Sequence, residues 1–327
     1  MNKLYLSKIF FLSLTLFASK WFFSFYFNLE ENFITKVFFD LKDWQYLTLI
    51  YNFANLDFNP SYDPLLSNLK YIPIPINSVI FHSIFLKIFN LYGFLIAEFI
   101  IIFLFFCIFF KFFKELGIKK FESLILVLFI FCIPSFIDIL SLSNFTYVSA
   151  LYEFFNLRIP RPIVSQIYLF LFLLLLIFKN KNEKFKIWEL FFLGFLFSSM
   201  WGSFFYNIAL ASTSFTIYYF YITNFDISKI TSYLKDAFIV AFFFIIFSIP
   251  LILILLNSEP DYLARVGLIN LNFDKKIIIL DHISSKIFSL KFLLVFFVIT
   301  SLYYYLIKKS SYKKEGINLL YIIFLGS

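Results

Sequence analysis

Apolar residues run along this chain in long blocks, and alternate breaks between blocks are rich in lysine. Nine segments read as spans: 9–27, 94–112, 123–142, 163–178, 187–203, 205–222, 237–256, 288–307 and 317–327. Several approach or exceed about 18 nearly uncharged residues, the length of helix that crosses a hydrocarbon core about 30 Å thick. The pattern predicts an all-α fold, a polytopic bundle of about nine transmembrane helices forming a single domain over residues 1–327. The last segment has only 11 residues. It reads as the start of a span in a C-terminally truncated chain, with a short re-entrant piece as the alternative.

One segment breaks the pattern. Residues 78–92 are apolar, but Ser83, Lys87 and Asn90 recur at i, i+4 and i+7 and draw a polar stripe along one helix face. A helix of this kind suits the membrane interface better than the hydrocarbon. Leaving it outside the membrane also makes the lysines consistent. With the N-terminus in the cytoplasm, the positive-inside rule finds Lys3, Lys8, Lys111, Lys114, Lys119, Lys120, Lys179, Lys181, Lys184 and Lys186 on the inner face. Lys229, Lys235, Lys308, Lys309, Lys313 and Lys314 join them there. The 28–93 loop then lies outside with its amphipathic stretches, as does a second loop at 257–287.

Composition sharpens this reading. The chain is 61% hydrophobic and only 15% charged, against about 25% charged in an ordinary globular domain, and its mean hydropathy is +0.88. That excludes a disordered or collagen-like chain. A net charge of +8 would point to nucleic acid in a soluble protein; here it serves topology, and no basic–aromatic stripe supports a nucleic-acid partner. Cys107 and Cys132 both fall inside apolar segments and read as packing residues rather than a disulfide or zinc site. The first apolar stretch follows Lys3 and Lys8 but lacks a small-x-small cleavage pattern, so it reads as an uncleaved anchor.

Candidate chemistry concentrates on the outer face. The 28 cationic residues include only three arginines, Arg158, Arg161 and Arg265. All three fall outside, where the positive-inside rule gives no reason for them. A guanidinium grips phosphate or carboxylate through two parallel hydrogen bonds, which a lysine does not do. Arg158-Ile-Pro-Arg161-Pro162 stands directly before the 163–178 span, where proline suits a helix start, and makes a clamp for a lipid-linked phosphate. Most acids are outside too, and Glu98 and Asp138 sit near the outer ends of their spans, which suggests a polar cavity open to that face. Asp40 and Asp43 open an amphipathic stretch running to about Asn55, and either carboxylate could accept a proton from a hydroxyl. His82 is a candidate substrate contact on the interfacial helix. His82 and His282 have no ligand-like partners at helical spacing, so a metal site is poorly supported. The chain contains no Walker-type phosphate loop, HExxH or GxSxG motif.

Asp43-Trp-Gln-Tyr46-Leu-Thr-Leu-Ile-Tyr-Asn-Phe-Ala-Asn-Leu-Asp57, followed by Tyr71-Ile-Pro-Ile-Pro75 and a helix ending at Tyr92-Gly93, resembles the GT-C class of integral-membrane glycosyltransferases. The resemblance covers residues 1–178, and the remainder only by span count. It implies a multi-pass protein of the bacterial inner membrane with a cytoplasmic N-terminus, a lipid-linked sugar donor and a glycan or lipid acceptor. It also implies Asp43, or Asp40, as catalytic base. Arg158, Arg161 and Arg265 would bind the donor phosphate, with His82 and Glu98 as further substrate contacts. No cofactor is certain, and a divalent metal is left open. Two other classes compete: a transporter or flippase for a lipid-linked glycan, and an O-antigen polymerase or ligase type of enzyme.

Overall fold

The computed structural model describes residues 3–27, 45–57, 76–140, 163–179, 184–204, 206–222, 230–256 and 289–309, with isolated positions at 228, 277–278, 281, 284–285, 318 and 321. Among the described residues the secondary structure is helical, with no strand. In chain order the helices are α1 (Lys3–Phe27), α2 (Gln45–Ala54), α3 (Ile76–Phe89), α4 (Gly93–Glu115), α5 (Lys120–Phe131), α6 (Ile133–Ile139), α7 (Ile163–Phe178), α8 (Ile187–Trp201), α9 (Tyr206–Ile222), α10 (Ile230–Leu256) and α11 (Leu290–Lys309). Their bounds follow the apolar segments closely. The segment 123–142 is the exception: it divides into α5 and α6 at Cys132, two residues before Pro134, whose missing N–H and ring disrupt the helical bond to the preceding turn.

The core is built on α4. Phe105 and Phe106 of α4, Phe172 and Leu176 of α7 and Leu193 of α8 are all buried in one continuous apolar cluster. Helix α1 packs antiparallel along α4. Near its start Tyr5 stacks on Phe110 at 5.7 Å, in the middle Phe10 meets Phe103 edge-on at 5.9 Å, and towards its end Lys20 reaches Glu98 at 2.7 Å. Helices α8 and α10 make the most extensive contact in the bundle. Gly194 permits it: a Cβ there would lie 2.5 Å from Phe243 Cβ. Within this contact the Ser248 hydroxyl donates to Ser198 Oγ at 3.0 Å. A second buried polar pair, Asn207 Nδ2 to Gln166 Oε1 at 3.0 Å, ties α9 to α7.

Lysine-bearing ends gather at one end of the bundle. Lys120 lies over Tyr5, Lys111 over Phe178, and the Lys179 ammonium meets Glu189 at 2.7 Å with both side chains largely buried. The Tyr218 hydroxyl donates to the Lys179 carbonyl, bringing the end of α9 to the same place. Helix α3 stands at the opposite end, where Asn77 Nδ2 donates to the Ser199 carbonyl near the end of α8.

Among the described residues two stretches are long and apolar enough to cross a membrane, Ile76–Glu115 and Ile230–Leu256; α7, α8 and α11 contribute shorter apolar helices. The first stretch is not one rod. Eight residues of continuous helix span about 12 Å, yet a Cβ on Gly93 would fall against the Phe85 carbonyl, well inside van der Waals contact. The chain therefore turns sharply through the 3₁₀ turn Asn90–Tyr92, where Asn90 takes a positive φ of 53°. Asparagine tolerates that conformation better than most residues. The 23 residues of α4 alone, about 34 Å long, match the length needed to cross a hydrocarbon core about 30 Å thick.

Candidate functional site

Helix α2 begins two residues after Asp43 and carries its apolar side chains at Tyr46, Leu49, Ile50 and Phe53, a spacing of i, i+3, i+4 and i+7 that puts them on one face. All four are buried in a small cluster with Ile76, Val79 and Phe94, and with Leu251 and Leu255 from the end of α10. Removing such side chains from water contributes about 1.5–3 kcal/mol each. Helix α2 is therefore held as an integral part of this end. Its last turn closes with Asp57 N donating to the Asn52 carbonyl at 2.9 Å and Leu56 N to Phe53 at 3.0 Å, which sets Leu56 in the left-handed region at φ 64°.

The polar stripe of α3 faces α2. Ser83 Oγ lies 2.7 Å from the Val79 carbonyl of its own helix and 2.9 Å from the Ile50 carbonyl of α2. Lys87 and Asn90 continue the stripe into a cleft of about 780 Å³ between α2 and the α3–α4 corner. Thr48, Tyr51, Asn52 and Asn55 form the α2 wall, and Leu86, Leu91 and Phe94 the opposite wall. A second groove of about 250 Å³ runs on the other side of Lys87, lined by Phe53, Leu56, Ile80, Ile84 and Ile88. A volume of the first size is typical of small-ligand sites. No group of three or more potential metal ligands occurs among the described residues.

The two described residues expected to bind substrate are both buried, and neither lines the cleft. Glu98 receives Lys20 Nζ at 2.7 Å on one oxygen and Trp21 Nε1 at 3.1 Å on the other, both from α1. The Lys20 ammonium also lies 4.9 Å from the Trp21 ring centre. These contacts give Glu98 a role in fastening α1 to α4. His82 is 1% exposed and places Nδ1 2.7 Å from the Ser78 carbonyl. Only a protonated Nδ1 can donate to that oxygen, so the neutral ring carries its lone pair on Nε2, a buried atom with no hydrogen-bond partner among the described residues. Phe94, which lines the cleft, stacks on the same ring at 6.2 Å.

Asp40, Asp43, Arg158, Arg161 and Arg265, with the 257–276 part of the second loop, lie outside the described residues. The side chain of Asp138 does too. Asn52, Asn55 and the cleft they line escaped the sequence reading, which places Lys87 and Asn90 against lipid headgroups. Their alignment with α2 depends on a contact between segments more than thirty positions apart. No protein-family model, curated protein or solved structure matches the chain.

Proposed function

We propose that the chain is a multi-pass membrane glycosyltransferase of the GT-C type, moving a sugar from a polyprenyl-phosphate donor to an acceptor hydroxyl on the extracytoplasmic face. The observation that carries the reading is the cleft beside α2, which combines polar amides and a lysine with apolar residues; in the sequence Asp43 stands two positions before α2. A site of mixed polarity at one end of an apolar bundle suits a donor that is half lipid and half sugar.

The membrane setting is supported by α10, 27 residues long and strongly apolar, with only 22% of its most apolar window buried. Phe238, Phe242, Ile245, Ile249 and Leu253 stand exposed along it, a patch that soluble monomers rarely present and that hydrocarbon would cover. The antiparallel pairing of α1 with α4, and the lysines at the end away from α2, agree with a cytoplasmic N-terminus and an outer 28–93 loop. A flippase would place ionisable groups near mid-membrane. The buried ion pairs Lys20–Glu98 and Lys179–Glu189 instead sit towards opposite ends of the bundle.

In this mechanism Asp43, with Asp40 as the alternative base, takes the proton of the acceptor hydroxyl. The oxygen attacks the anomeric carbon, the bond from that carbon to the phosphate oxygen breaks, and polyprenyl phosphate leaves with the electron pair. Arg158, Arg161 and Arg265 stabilise the charge that develops on it. The test is donor turnover in membranes carrying wild-type protein, Asp43→Asn or Arg161→Lys. Asp43→Asn should abolish turnover at unchanged protein level, and Arg161→Lys should weaken donor binding because a point charge does not replace a fork. Undiminished turnover by Asp43→Asn would remove that residue as the base.

A further inference from the structure

The two hollows beside α2 share only Ala54 and Lys87 among their described lining residues. On one side of Lys87 lies the 780 Å³ cleft, whose walls carry the side-chain amides of Asn52, Asn55 and Asn90. On the other lies the 250 Å³ groove, where Ser83 and Lys87 are the only polar lining residues and Ser83 already points at backbone carbonyls. Lys87 makes no ion pair with any described residue, and among the described residues lining either hollow it is the only charged one.

An alkyl chain would fill the groove, where nothing offers it a hydrogen bond. An uncharged polar head would suit the cleft, since an asparagine amide both donates to and accepts from a hydroxyl. A monoanion between head and chain would meet the ammonium at the junction, where a charge-assisted contact forms. We propose that the cleft and groove together bind a single phosphate-linked amphiphile. Its isoprenoid chain lies in the Ile80–Ile84–Ile88 groove, Lys87 is one of the cations on its phosphate, and its hydroxylated head lies among Asn52, Asn55 and Asn90. The assignment deepens the transferase reading and rests on it for the choice of a glycosylated probe, but its test requires no turnover.

The full chain, reconstituted in discs of neutral phosphatidylcholine, is titrated by calorimetry with citronellyl phosphate, citronellol, inorganic phosphate and glucosyl citronellyl phosphate. Citronellyl phosphate should bind saturably, and citronellol and inorganic phosphate at least about tenfold more weakly, the equivalent of about 1.4 kcal/mol. Lys87→Met should weaken citronellyl phosphate by about tenfold or more, while Lys87→Arg, which keeps the charge, holds near wild type. Asn90→Gly, which retains the positive φ and removes the amide, should erase the preference for the glucosylated over the bare phosphate. Equal binding by Lys87→Met overturns the proposal. So does inorganic phosphate binding as tightly as the amphiphile, which would mean a free-anion site, or citronellol doing so, which would mean apolar partition alone. An unchanged glucosyl preference in Asn90→Gly overturns the placement of the head. Binding as expected in a protein that turns over no donor would leave this site standing and remove the transferase reading.

Discussion

Glu98 offers the sharpest division between a structural and a ligand-binding carboxylate. Its side chain is 5% exposed and bonds to both Lys20 and Trp21, while Lys20 is 41% exposed. Two unit charges at about 4 Å attract by about 4 kcal/mol at an effective dielectric near 20. Partial exposure of the lysine and the desolvation of Glu98 remove much of that. Lys20→Met leaves a buried carboxylate with Trp21 as its remaining donor among the described residues. Breaking a fully buried pair costs about 3–5 kcal/mol, and discounting for the solvated ammonium gives about 2–3 kcal/mol here. Glu98→Gln should cost less, about 1 kcal/mol, because Lys20 can turn to water and the new side-chain carbonyl can still accept from Trp21. The double variant Lys20→Met/Glu98→Gln should return to within about 1 kcal/mol of wild type, a positive coupling of the kind that neighbouring groups show. The assay is reversible unfolding in mixed micelles followed by tryptophan fluorescence, run beside donor binding on the same four proteins. If Glu98 fastens helices, the double variant recovers both stability and binding. A double variant that is stable but no longer binds donor would refute the reasoning and return Glu98 to the substrate.

Two further outcomes follow from local geometry. Leu56 holds φ at 64° while 73% exposed, so Leu56→Gly should stabilise the end of α2 by about 0.5–1 kcal/mol through relief of the left-handed strain; slower amide exchange at Leu56 and Asp57 would show it, and faster exchange would contradict it. Asn207→Leu orphans the buried Gln166 amide and should destabilise the bundle by about 0.6–2 kcal/mol, whereas Asn207→Leu with Gln166→Leu should be nearly neutral; equal losses in single and double variants would mean the bond carries nothing.

The helices were readable in the sequence because the apolar runs other than 205–222 carry a lysine or proline at or close to at least one end, a signal contained within a few residues. The short apolar face of α2 was readable for the same reason, as Tyr46, Leu49, Ile50 and Phe53 fall at one helix spacing. Tertiary partners were not. Glu98 pairs with a lysine 78 positions away, and no local pattern distinguishes that from a carboxylate awaiting a ligand. The stripe of Ser83, Lys87 and Asn90 was visible, yet periodicity alone does not say whether a polar face meets headgroups or another helix; Ser83 meets the Ile50 carbonyl of α2. His82 looked accessible on a helix assigned to the interface, but Phe94, brought back by the turn at Asn90, stacks on it.

The most direct test of an outer-face transferase joins sidedness to turnover. In a Cys107→Ala/Cys132→Ala background, single cysteines at Asn55 and Lys119 are labelled with an impermeant maleimide in sealed vesicles of known orientation, and in parallel vesicles carrying the protein without either added cysteine, polyprenyl-phospho-sugar supplied from one side is followed by mass spectrometry. Donor should be consumed, with release of polyprenyl phosphate, only from the side on which the Asn55→Cys protein is labelled, and the Lys119→Cys protein should be labelled on the other side. Labelling of both positions from one side, or a hexose, pentose and N-acetylhexosamine donor pool left intact from either side, would contradict it.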